Sequence, residues 1–409
     1  MRERQRDEDR ALALRLFRAG LAAADPEAAV RRALAEAPPE DPGEVLVLAA
    51  GKAALRMLDG AADWMAARPW RPRILAVTNR ENRREAPPGV ALHLGGHPVP
   101  DEGSLRAGRA FEAALRAAGE GTRVLLLLSG GASALLAAPA PGLSLADEAE
   151  AGRLLVGSGA AIEEINLVRQ HLSTLKGGGL ARLALPAPVT ALILSDVVGD
   201  DLRAIGSGPT AAPLGTRAEA AALCRRLGVW AALPEAVRAR LSAEGDDGPP
   251  PPADNRLVGS NRLSLETMAA TCPEATLDPD PLVGDVAEAA ARLLALPPGV
   301  HLLGGETTVR VRGRGLGGRN QELALRVALG ARGPFAFLSA GTDGRDGPTD
   351  AAGALVDEGT AGRVAAAGLD AEALLRDNDS HRALAAARDL VVTGGTGTNV
   401  ADLQVLVRR

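Results

Sequence analysis

Residues 45–56 read VLVLAAGKAALR, and this stretch decides the fold class. A run of apolar residues ends at a glycine, and a pattern with helical spacing begins directly after it. A strand that passes through a short glycine turn into a helix is the repeating unit of α/β proteins with parallel sheets. We therefore predict an α/β protein whose first strand ends just before Gly51.

Lys52, which follows this first predicted strand, is an unusual residue for the chain. The sequence contains only two lysines, Lys52 and Lys176, and 44 of its 46 basic residues are arginine. Lysine carries a compact ammonium group on a thin stem, whereas arginine carries a broad planar fork, so the two are not interchangeable at a tight site. Lys52 is therefore a candidate for anion binding, and the alternative is an ordinary surface lysine.

The same alternation of apolar runs and helical patterns extends along the chain. Strands are predicted at residues 45–49, 73–78, 123–128, 189–194, 256–258, 301–303, 307–312, 335–339 and 390–393. Helices are predicted at 8–23, 26–36, 52–67, 103–118, 145–157, 160–185 (broken at 177–179), 217–228, 234–244, 260–270, 284–296, 320–331, 358–367, 371–377 and 381–387. The proline-rich stretch GDDGPPPPAD disfavours both helix and sheet interior. We expect two α/β domains, 1–245 and 255–409, with the last residues assignable to either.

Composition excludes several classes of function. A net charge of −5 argues against nucleic acid or an anionic membrane as the main partner. No 18-residue apolar run exists, and the charged N-terminus does not resemble a signal peptide, so we expect a soluble cytoplasmic protein. Cys224 and Cys272 show no metal-binding spacing and are too few for a disulfide framework.

Glycine-rich loops with polar side chains follow the predicted strands. Ligands of open α/β sheets bind at the carboxyl ends of strands, where free backbone N–H groups attract anions. Turning alone requires glycine as well, but seven such loops in one chain favour an enzyme that binds an anionic ligand. The candidate binding residues in these loops are Ser129, Gly130, Gly131, Ser133, Ser207, Gly208, Glu306, Asp343, Thr396 and Asn399.

The segment VRVRGRGLGGRNQELAL, residues 309–325, is the most specific of these stretches. Its GxGxxG pattern at 313–318 is a weak dinucleotide fingerprint, because it lies late in the chain and lacks a clean second strand. Arg319 opens a helix, where an unanswered arginine opposes the helix dipole. We predict that Arg319 binds phosphate together with the glycine amides, or alternatively that it pairs with Glu322 or Asp346. The site candidates here are Gly315, Gly317, Gly318, Arg319 and Asn320.

Three carboxylates, those of Asp196, Asp200 and Asp201, crowd one predicted strand end. Like charges gathered in this way require a cation or an arginine. Asp196 is the candidate ligand of Mg²⁺, which binds to one or two carboxylates plus substrate phosphates. The alternative is that Asp200 and Asp201 only cap the turn. His97 lies before Asp101 and Ser104, which are good helix N-caps, so a structural role is favoured there.

Taken together, eight ordered motifs resemble the class II glycerate kinases over about residues 10–405. They are GKAA, GHPVPDEGS, SGGASALL, SDVVGDDLRAIGSGPT, GSNR, GGETTVRVRGRGLGGRNQE, SAGTDGRDGPTDAAGA and TGGTGTNVADL. The resemblance implies an N-terminal Rossmann-like domain, a smaller C-terminal MOFRL-type domain and ligands in the cleft between them. It implies ATP-dependent phosphorylation of D-glycerate, chiefly at the 2-hydroxyl, with a divalent cation, and Lys52 and Arg319 as key residues. Gln170 and Gly395 depart from the family pattern.

Two other functions remain open at this point. The GxGxxG pattern motivates an NAD(P)-dependent hydroxypyruvate reductase, and the same loops would also suit a non-catalytic nucleotide sensor. A homodimer is possible. If Arg319 is a phosphate ligand in an open cleft, we expect its replacement to change the stability by less than about 1 kcal/mol, as for other surface residues.

Overall fold

The computed structural model describes residues 2–39, 43–67, 72–244 and 248–409. It contains two compact units. The central unit is Pro26–Val258, and the terminal unit combines Met1–Asp25 with Gly259–Arg409. No helix in these described ranges is long and apolar enough to cross a lipid bilayer.

The elements alternate as the sequence predicts for an α/β protein. The helices are α1 (Arg2–Ala23), α2 (Pro26–Glu36), α3 (Ala54–Ala66), α4 (Glu102–Arg116), α5 (Ala132–Leu135), α6 (Leu145–Gly157), α7 (Ile162–His171), α8 (Gly179–Ala184), α9 (Arg217–Arg226), α10 (Glu235–Ser242), α11 (Asn261–Thr271), α12 (Val286–Leu294), α13 (Arg319–Gly330), α14 (Thr360–Ala366), α15 (Ala371–Arg376) and α16 (Ser380–Ala387). The strands are β1 (Glu44–Ala50), β2 (Arg73–Asn79), β3 (Val90–Gly95), β4 (Thr122–Leu128), β5 (Val189–Leu194), β6 (Asp254–Gly259), β7 (Thr276–Leu277), β8 (Gly284–Asp285), β9 (Gly299–Gly305), β10 (Thr307–Thr308), β11 (Phe335–Gly341), β12 (Gly353–Asp357), β13 (Leu390–Val391) and β14 (Asp402–Arg408). Short 3₁₀ turns lie at Ile205–Ser207 and Trp230–Ala232.

The central unit is built on a six-stranded sheet of order β3-β2-β1-β4-β5-β6. The pairs β2–β3, β1–β2, β1–β4 and β4–β5 are parallel. Residues 45–50 of β1 are all buried, as expected for a strand that helices cover on both faces. This is the doubly wound order, whose direction reverses between β1 and β4, and ligands bind at that switch point. The predicted α/β class is confirmed.

Strand β3 is an element of this sheet that the sequence pattern did not predict. Its residues VALHLG are mostly half-buried at the sheet edge, so they lack the continuous apolar run of the other strands. Strand β6 begins at Asp254, directly after the proline-rich stretch. That stretch, of which residues 245–247 lie outside the described chain, therefore precedes the last strand of the central sheet.

The terminal unit has a mixed sheet of order β13-β12-β11-β14-β9-β7. Its pairs are antiparallel except β7–β9, so the parallel sheet indicated by the sequence pattern does not extend to this unit. Strand β14, formed by the last residues of the chain, lies between β11 and β9. The C-terminus is thus an interior strand of this unit. The predicted strand at 307–312 is wrong beyond Thr308, because the Arg312 amide donates instead to Asn378 Oδ1 at 2.7 Å.

Helix α1 packs on the sheet of the terminal unit, although the predicted boundaries placed it in the first domain. Leu16 and Phe17 are buried in one apolar cluster with residues of α11, β11 and β14. Arg10 forms ion pairs with Asp357 and Asp389, and Arg409 pairs with Asp9. The covering of this sheet face therefore comes from the opposite end of the chain, which local sequence pattern cannot show.

Candidate active site

The loops after β1 and β4 meet at the switch point of the central sheet. Gly51 has a φ of +126°, and a side chain there would overlap Ser129. The Lys52 amide donates to the carbonyl of Gly130 at 2.9 Å, and the Ala53 amide donates to Ser129 Oγ at 3.1 Å. Glycine at position 51 is thus required by the close approach of the two loops. The Ser129 hydroxyl, predicted as an anion ligand, is buried and binds this loop.

The ammonium of Lys52 is unpaired among the described residues. It forms no hydrogen bond or ion pair with any residue in the described part of the chain. The amides of Gly130 and Gly131 likewise donate to no described residue. A free cation beside two free N–H groups at a strand end is the arrangement that binds anions in α/β proteins.

Asp196 lies at the end of β5, against Gly130. A methyl group on Gly130 would overlap the Asp196 carboxylate. Burial raises the pKa of this carboxyl group, although a hydrogen bond from its own amide and the charge of Lys52 act in the opposite direction. Because no hydrogen bond joins this carboxylate to another described side chain, it is available to a ligand.

The other two carboxylates of this loop differ from Asp196. Asp201 forms a bidentate ion pair with Arg203 and accepts the Arg203 amide at 2.9 Å. Asp200 has a buried Oδ1 with no hydrogen-bond partner among the described atoms, so it does not cap the turn as the alternative required. No three His, Cys, Asp or Glu side chains within the described ranges are grouped to hold a metal ion. A metal at Asp196 would take its other ligands from water or the substrate.

His97 is a member of this site for which the sequence favoured only a structural role. A side chain at Gly131 would lie 3.1 Å from the His97 ring and 3.2 Å from Lys52 Cγ, which places the ring and the lysine stem together. Burial, and then the charge of Lys52, lower the pKa of His97. Asp101 caps α4 as predicted. The sequence signal for His97 is its position just after a strand, and it was not recognised because strand β3 was not predicted.

Ser133 and Ser207 form a hydrogen bond with each other at 2.7 Å between hydroxyl oxygens. Ser207 is fully buried and also contacts Asn166, so its hydroxyl is used inside the protein. The Gly208 amide donates to Ile205 O at 2.9 Å. Gln170, the departure from the family pattern, donates to Arg203 O and Ser207 O and thereby fixes this loop.

In the terminal unit, Arg319 is held by two carboxylates. Its Nε and Nη2 donate to Asp402 at 2.6 and 2.9 Å, and its Nη1 lies 3.0 Å from Glu306. Arg319 was therefore correctly expected to need a counter-charge, but the proposed partners Glu322 and Asp346 are wrong. Glu322 pairs with Arg326 instead.

The Asp346 carboxylate caps the N-terminus of helix α13, where phosphate binding was predicted. Its carboxylate accepts the amides of Asn320 at 3.1 Å and Gln321 at 2.8 Å. Burial raises the pKa of Asp346. Asn320 is itself buried and accepts a hydrogen bond from Ser339 at 2.6 Å. The helix N-terminus is thus capped from within the protein, and Asn320 is a structural residue.

The glycines at 313–318 pack against neighbouring backbone and side chains. Side chains at Gly313 and Gly315 would overlap Asp377 and Asp379, and one at Gly318 would overlap Asp346. The Gly315 amide donates to Asp377 O at 2.9 Å. It is therefore not free for phosphate, whereas the amides of Gly317 and Gly318 donate to no described residue. The GxGxxG pattern reflects close packing here.

The remaining predicted ligands lie in loops of the terminal unit and make local hydrogen bonds. Asp343 accepts the Arg345 amide, Thr396 donates to Thr342 O, and Asn399 accepts the Ala401 amide. A methyl group added at Gly395, the second departure from the family pattern, would meet no described atom within 4 Å. These contacts shape the loops, and a ligand role for their side chains stays a prediction.

Comparison with known proteins defines the class. Residues 12–242 match a domain of unknown function (DUF4147), and residues 299–402 match the MOFRL family. The chain is 36% identical over 414 residues to the D-glycerate 2-kinase of Thermotoga maritima, with 96% of each chain covered. It is 42% identical over 417 residues to an Agrobacterium vitis protein with the provisional name of hydroxypyruvate reductase, covering 96% of this chain and 93% of that one.

A solved structure agrees with these similarities. The glycerate kinase of Thermotoga maritima superposes with a TM-score of 0.91 at 34% identity, over 98% of this chain and 100% of that one. The fold and these relatives thus define an α/β kinase. The chain belongs to the class II glycerate kinase family.

Proposed function

We propose that the protein transfers the terminal phosphoryl group of ATP to the 2-hydroxyl of D-glycerate, giving 2-phospho-D-glycerate and ADP. The observation that best supports this is the Lys52 ammonium at the switch point, near the amides of Gly130 and Gly131, since none of these three groups has a hydrogen-bond partner in the described part of the chain. Relatives named as glycerate 2-kinases align over nearly the whole chain, which supports glycerate as the acceptor.

The reaction breaks the bond between the γ-phosphorus and its bridging oxygen and forms a bond from the glycerate oxygen to that phosphorus. The hydroxyl proton leaves, and ADP takes the electron pair of the broken bond. This chemistry needs alignment and positive charge around the transferring group more than covalent help. Lys52 provides that charge, either on the transferring phosphoryl group or on the glycerate carboxylate. Gly130 and Gly131 add neutral N–H donors.

Asp196 is the residue that would hold a divalent cation such as Mg²⁺. Its carboxylate is half-buried and has no side-chain hydrogen-bond donor, which fits a cation ligand, and Mg²⁺ commonly uses one or two carboxylates plus phosphates. When bound, the ion neutralises charge on the phosphates. Asp196 itself orients the acceptor hydroxyl or accepts its proton.

Arg319 is the proposed phosphate-binding cation of the terminal unit, together with the amides of Gly317 and Gly318. Asp402 is fully buried and fixes one edge of the guanidinium, whereas about half of the Glu306 side chain is exposed. A phosphate would therefore replace Glu306 at Nη1 while Asp402 continues to orient the arginine. Charge-assisted pairs of this kind are the strong hydrogen bonds of phosphate recognition.

The reductase alternative loses its structural motive. It rested on the glycines at 313–318, and their close packing against residues 377–380 already accounts for the glycine pattern. The hydroxypyruvate reductase of Agrobacterium vitis supplies a name for that relative and no geometry.

Two parallel incubations test the proposal. The purified protein with D-glycerate, ATP and Mg²⁺ should release ADP, and hydroxypyruvate with NADH should leave NADH unchanged. L-Glycerate serves as the control for specific recognition of the acceptor. Consumption of NADH without any ADP formation would overturn the kinase assignment, and nucleotide binding without turnover of any hydroxy acid would favour a sensor.

A further inference from the structure

A cavity in the central unit has one buried and two half-buried charged residues in its wall. The cavity has a volume of 790 Å³ and is lined by residues of the β3–α4 and β4–α5 loops, α6 and α7. Among its lining residues are Lys176, Arg169 and Glu148. It also reaches His97 and Gly131, which lie near the Lys52 side chain.

The second lysine of the chain is the most deeply buried of these charges. Lys176 is only 8% exposed, and its ammonium has no hydrogen bond or ion pair within the described ranges. A buried charge without a partner costs several kcal/mol of folding free energy in order-of-magnitude terms, so such groups are normally paired. Burial accordingly lowers the pKa of Lys176. The protein therefore keeps an unfavourable group in the wall of an open cavity.

Arg169 and Glu148 face the same space. Arg169 runs along Gly152, where a side chain would lie 3.5 Å from Nη2, and no hydrogen bond of its guanidinium is found in the described chain. Glu148 has a buried Oε1 with no hydrogen-bond partner among the described atoms. The three groups influence each other's charge, but none forms an ion pair with another.

These groups define the chemistry of a ligand. Two cations and one carboxylate leave one net positive charge, which matches a single carboxylate better than a polyphosphate. The orphan Glu148 oxygen needs a hydroxyl or N–H donor. We infer that this wall binds a small hydroxy acid, with Lys176 and Arg169 on its carboxylate and Glu148 accepting a hydrogen bond from a hydroxyl.

This inference rests on the proposed function and deepens it. If the carboxylate of D-glycerate is bound by Lys176 and Arg169, Lys52 is left to act on the transferring phosphoryl group. Lys176 and Arg169 are then positioning residues for the acceptor. The volume of the cavity would also admit part of a nucleotide, which is the competing occupant.

The test compares Lys176→Met and Arg169→Met with Arg153→Gln as the matched control. Arg153 lines the same cavity, but its guanidinium is already paired with Glu150. For the two Met variants we expect the KM for D-glycerate to rise about 10- to 100-fold, because each variant loses a hydrogen bond to a charged group and such a bond changes affinity by about this factor. The KM for ATP should stay unchanged. Arg153→Gln should change neither constant.

Thermal unfolding gives a readout that a structural role would not reproduce. Without ligand, Lys176→Met should melt at or above the temperature of the wild type, because it removes an unpaired buried charge. D-Glycerate alone should raise the Tm of the wild type, and this shift should vanish in Lys176→Met. A lower Tm with an unchanged KM for D-glycerate would make Lys176 a structural residue and overturn the inference.

The remaining outcomes separate the two proposals. A rise in the KM for ATP would assign the cavity to the nucleotide and contradict the inference alone. If D-glycerate stabilises the protein only when Lys176 is present, but is not phosphorylated, the inference is upheld and the proposed function is overturned. If D-glycerate neither stabilises the wild type nor is phosphorylated by it, both proposals are overturned.

Discussion

Lys52 in the central unit and Arg319 in the terminal unit look alike in sequence and differ in the structure. Each follows glycine at the start of a helical pattern, and each was predicted to bind an anion. The Lys52 ammonium has no partner in the described chain, whereas Arg319 donates to Asp402 and lies 3.0 Å from Glu306. A cation at a glycine turn is therefore either available to a ligand or part of an ion-pair network, and the buried carboxylate that decides this for Arg319, Asp402, lies 83 residues along the chain.

The largest expected effect is at the free cation. Lys52→Arg should keep the stability of the wild type yet lose most of its turnover, because charge is retained and shape is not. A cation that stabilises the transition state of phosphoryl transfer is worth about 10³- to 10⁵-fold in rate. Steady-state assays with Arg109→Lys, an exchange on the exposed face of α4, provide the control. Activity above about a tenth of the wild type would return Lys52 to an ordinary surface role.

The paired cation should behave differently in two measurements. Arg319→Ala should lower kcat/KM by about 10³-fold if the guanidinium binds phosphate. It should also lower the free energy of unfolding by about 2–3 kcal/mol, because Asp402 is fully buried and loses its partner, while one third of the arginine remains exposed. This expected loss is larger than the change of less than about 1 kcal/mol that the sequence predicted for Arg319 as a surface residue. The checks are thermal unfolding and steady-state kinetics.

A double variant separates the two roles of Arg319. Arg319→Ala with Asp402→Asn should recover part of the lost stability, since no buried charge is left unpaired, but none of the lost activity. Recovery of turnover in the double variant would show that Arg319 acts only through the ion pair.

Asp196→Asn should reduce turnover by about 10²-fold if the carboxylate accepts the hydroxyl proton, and should raise the Mg²⁺ concentration needed for half-maximal rate if it binds the ion.

Burial raises the pKa of Asp196, so its ionised form is lost at a higher pH than for an ordinary aspartate. The acidic limb of the kcat/KM profile should therefore lie above the usual range for aspartate and disappear in the variant. Because the pKa of Asp196 is higher in the folded protein than in the unfolded chain, the folded state favours the protonated carboxyl group. The contribution of Asp196 to the free energy of unfolding is therefore lost as pH rises through the raised pKa.

The smallest expected effect tests the packing of the free site. Gly130→Ala should lower kcat/KM about tenfold, because the new methyl group overlaps the Asp196 carboxylate and displaces it. Gly121→Ala is the matched control, since nothing lies within 4 Å of its added methyl group. Equal activity of the two variants would mean that the position of Asp196 does not matter for the rate.

The fold was predictable where local pattern is continuous. The strands β1, β2, β4 and β5 each contain a run of consecutive buried, mainly apolar residues, because both faces of the sheet are covered, and all four were found. The edge strand β3 was missed because it is only half-buried. Strand β14 was missed because polar residues such as Gln404 interrupt its apolar pattern although the whole interior strand is buried.

The site was predictable only in part for a related reason. Lysine in an arginine-rich chain and glycine at strand ends are local signals, and they made Lys52, Gly130 and Gly131 candidates, which the structure places at the switch point of the central sheet. Pairing partners are not local: Asp402 lies 83 residues from Arg319. The burial of Lys176 depends on how α6 and α7 pack around it, so only its rarity distinguished it in the sequence.

Phosphorus NMR of the product formed from D-glycerate and ATP tests the central claim most directly. In the proton-coupled spectrum, phosphate on the 2-oxygen couples to the single hydrogen on C2 and gives a doublet, whereas phosphate on the 3-oxygen couples to two hydrogens and gives a triplet. We predict the doublet, formed together with ADP by the wild type and absent with Lys52→Arg. A triplet would contradict transfer to the 2-hydroxyl, and inorganic phosphate as the only product would contradict glycerate as the acceptor.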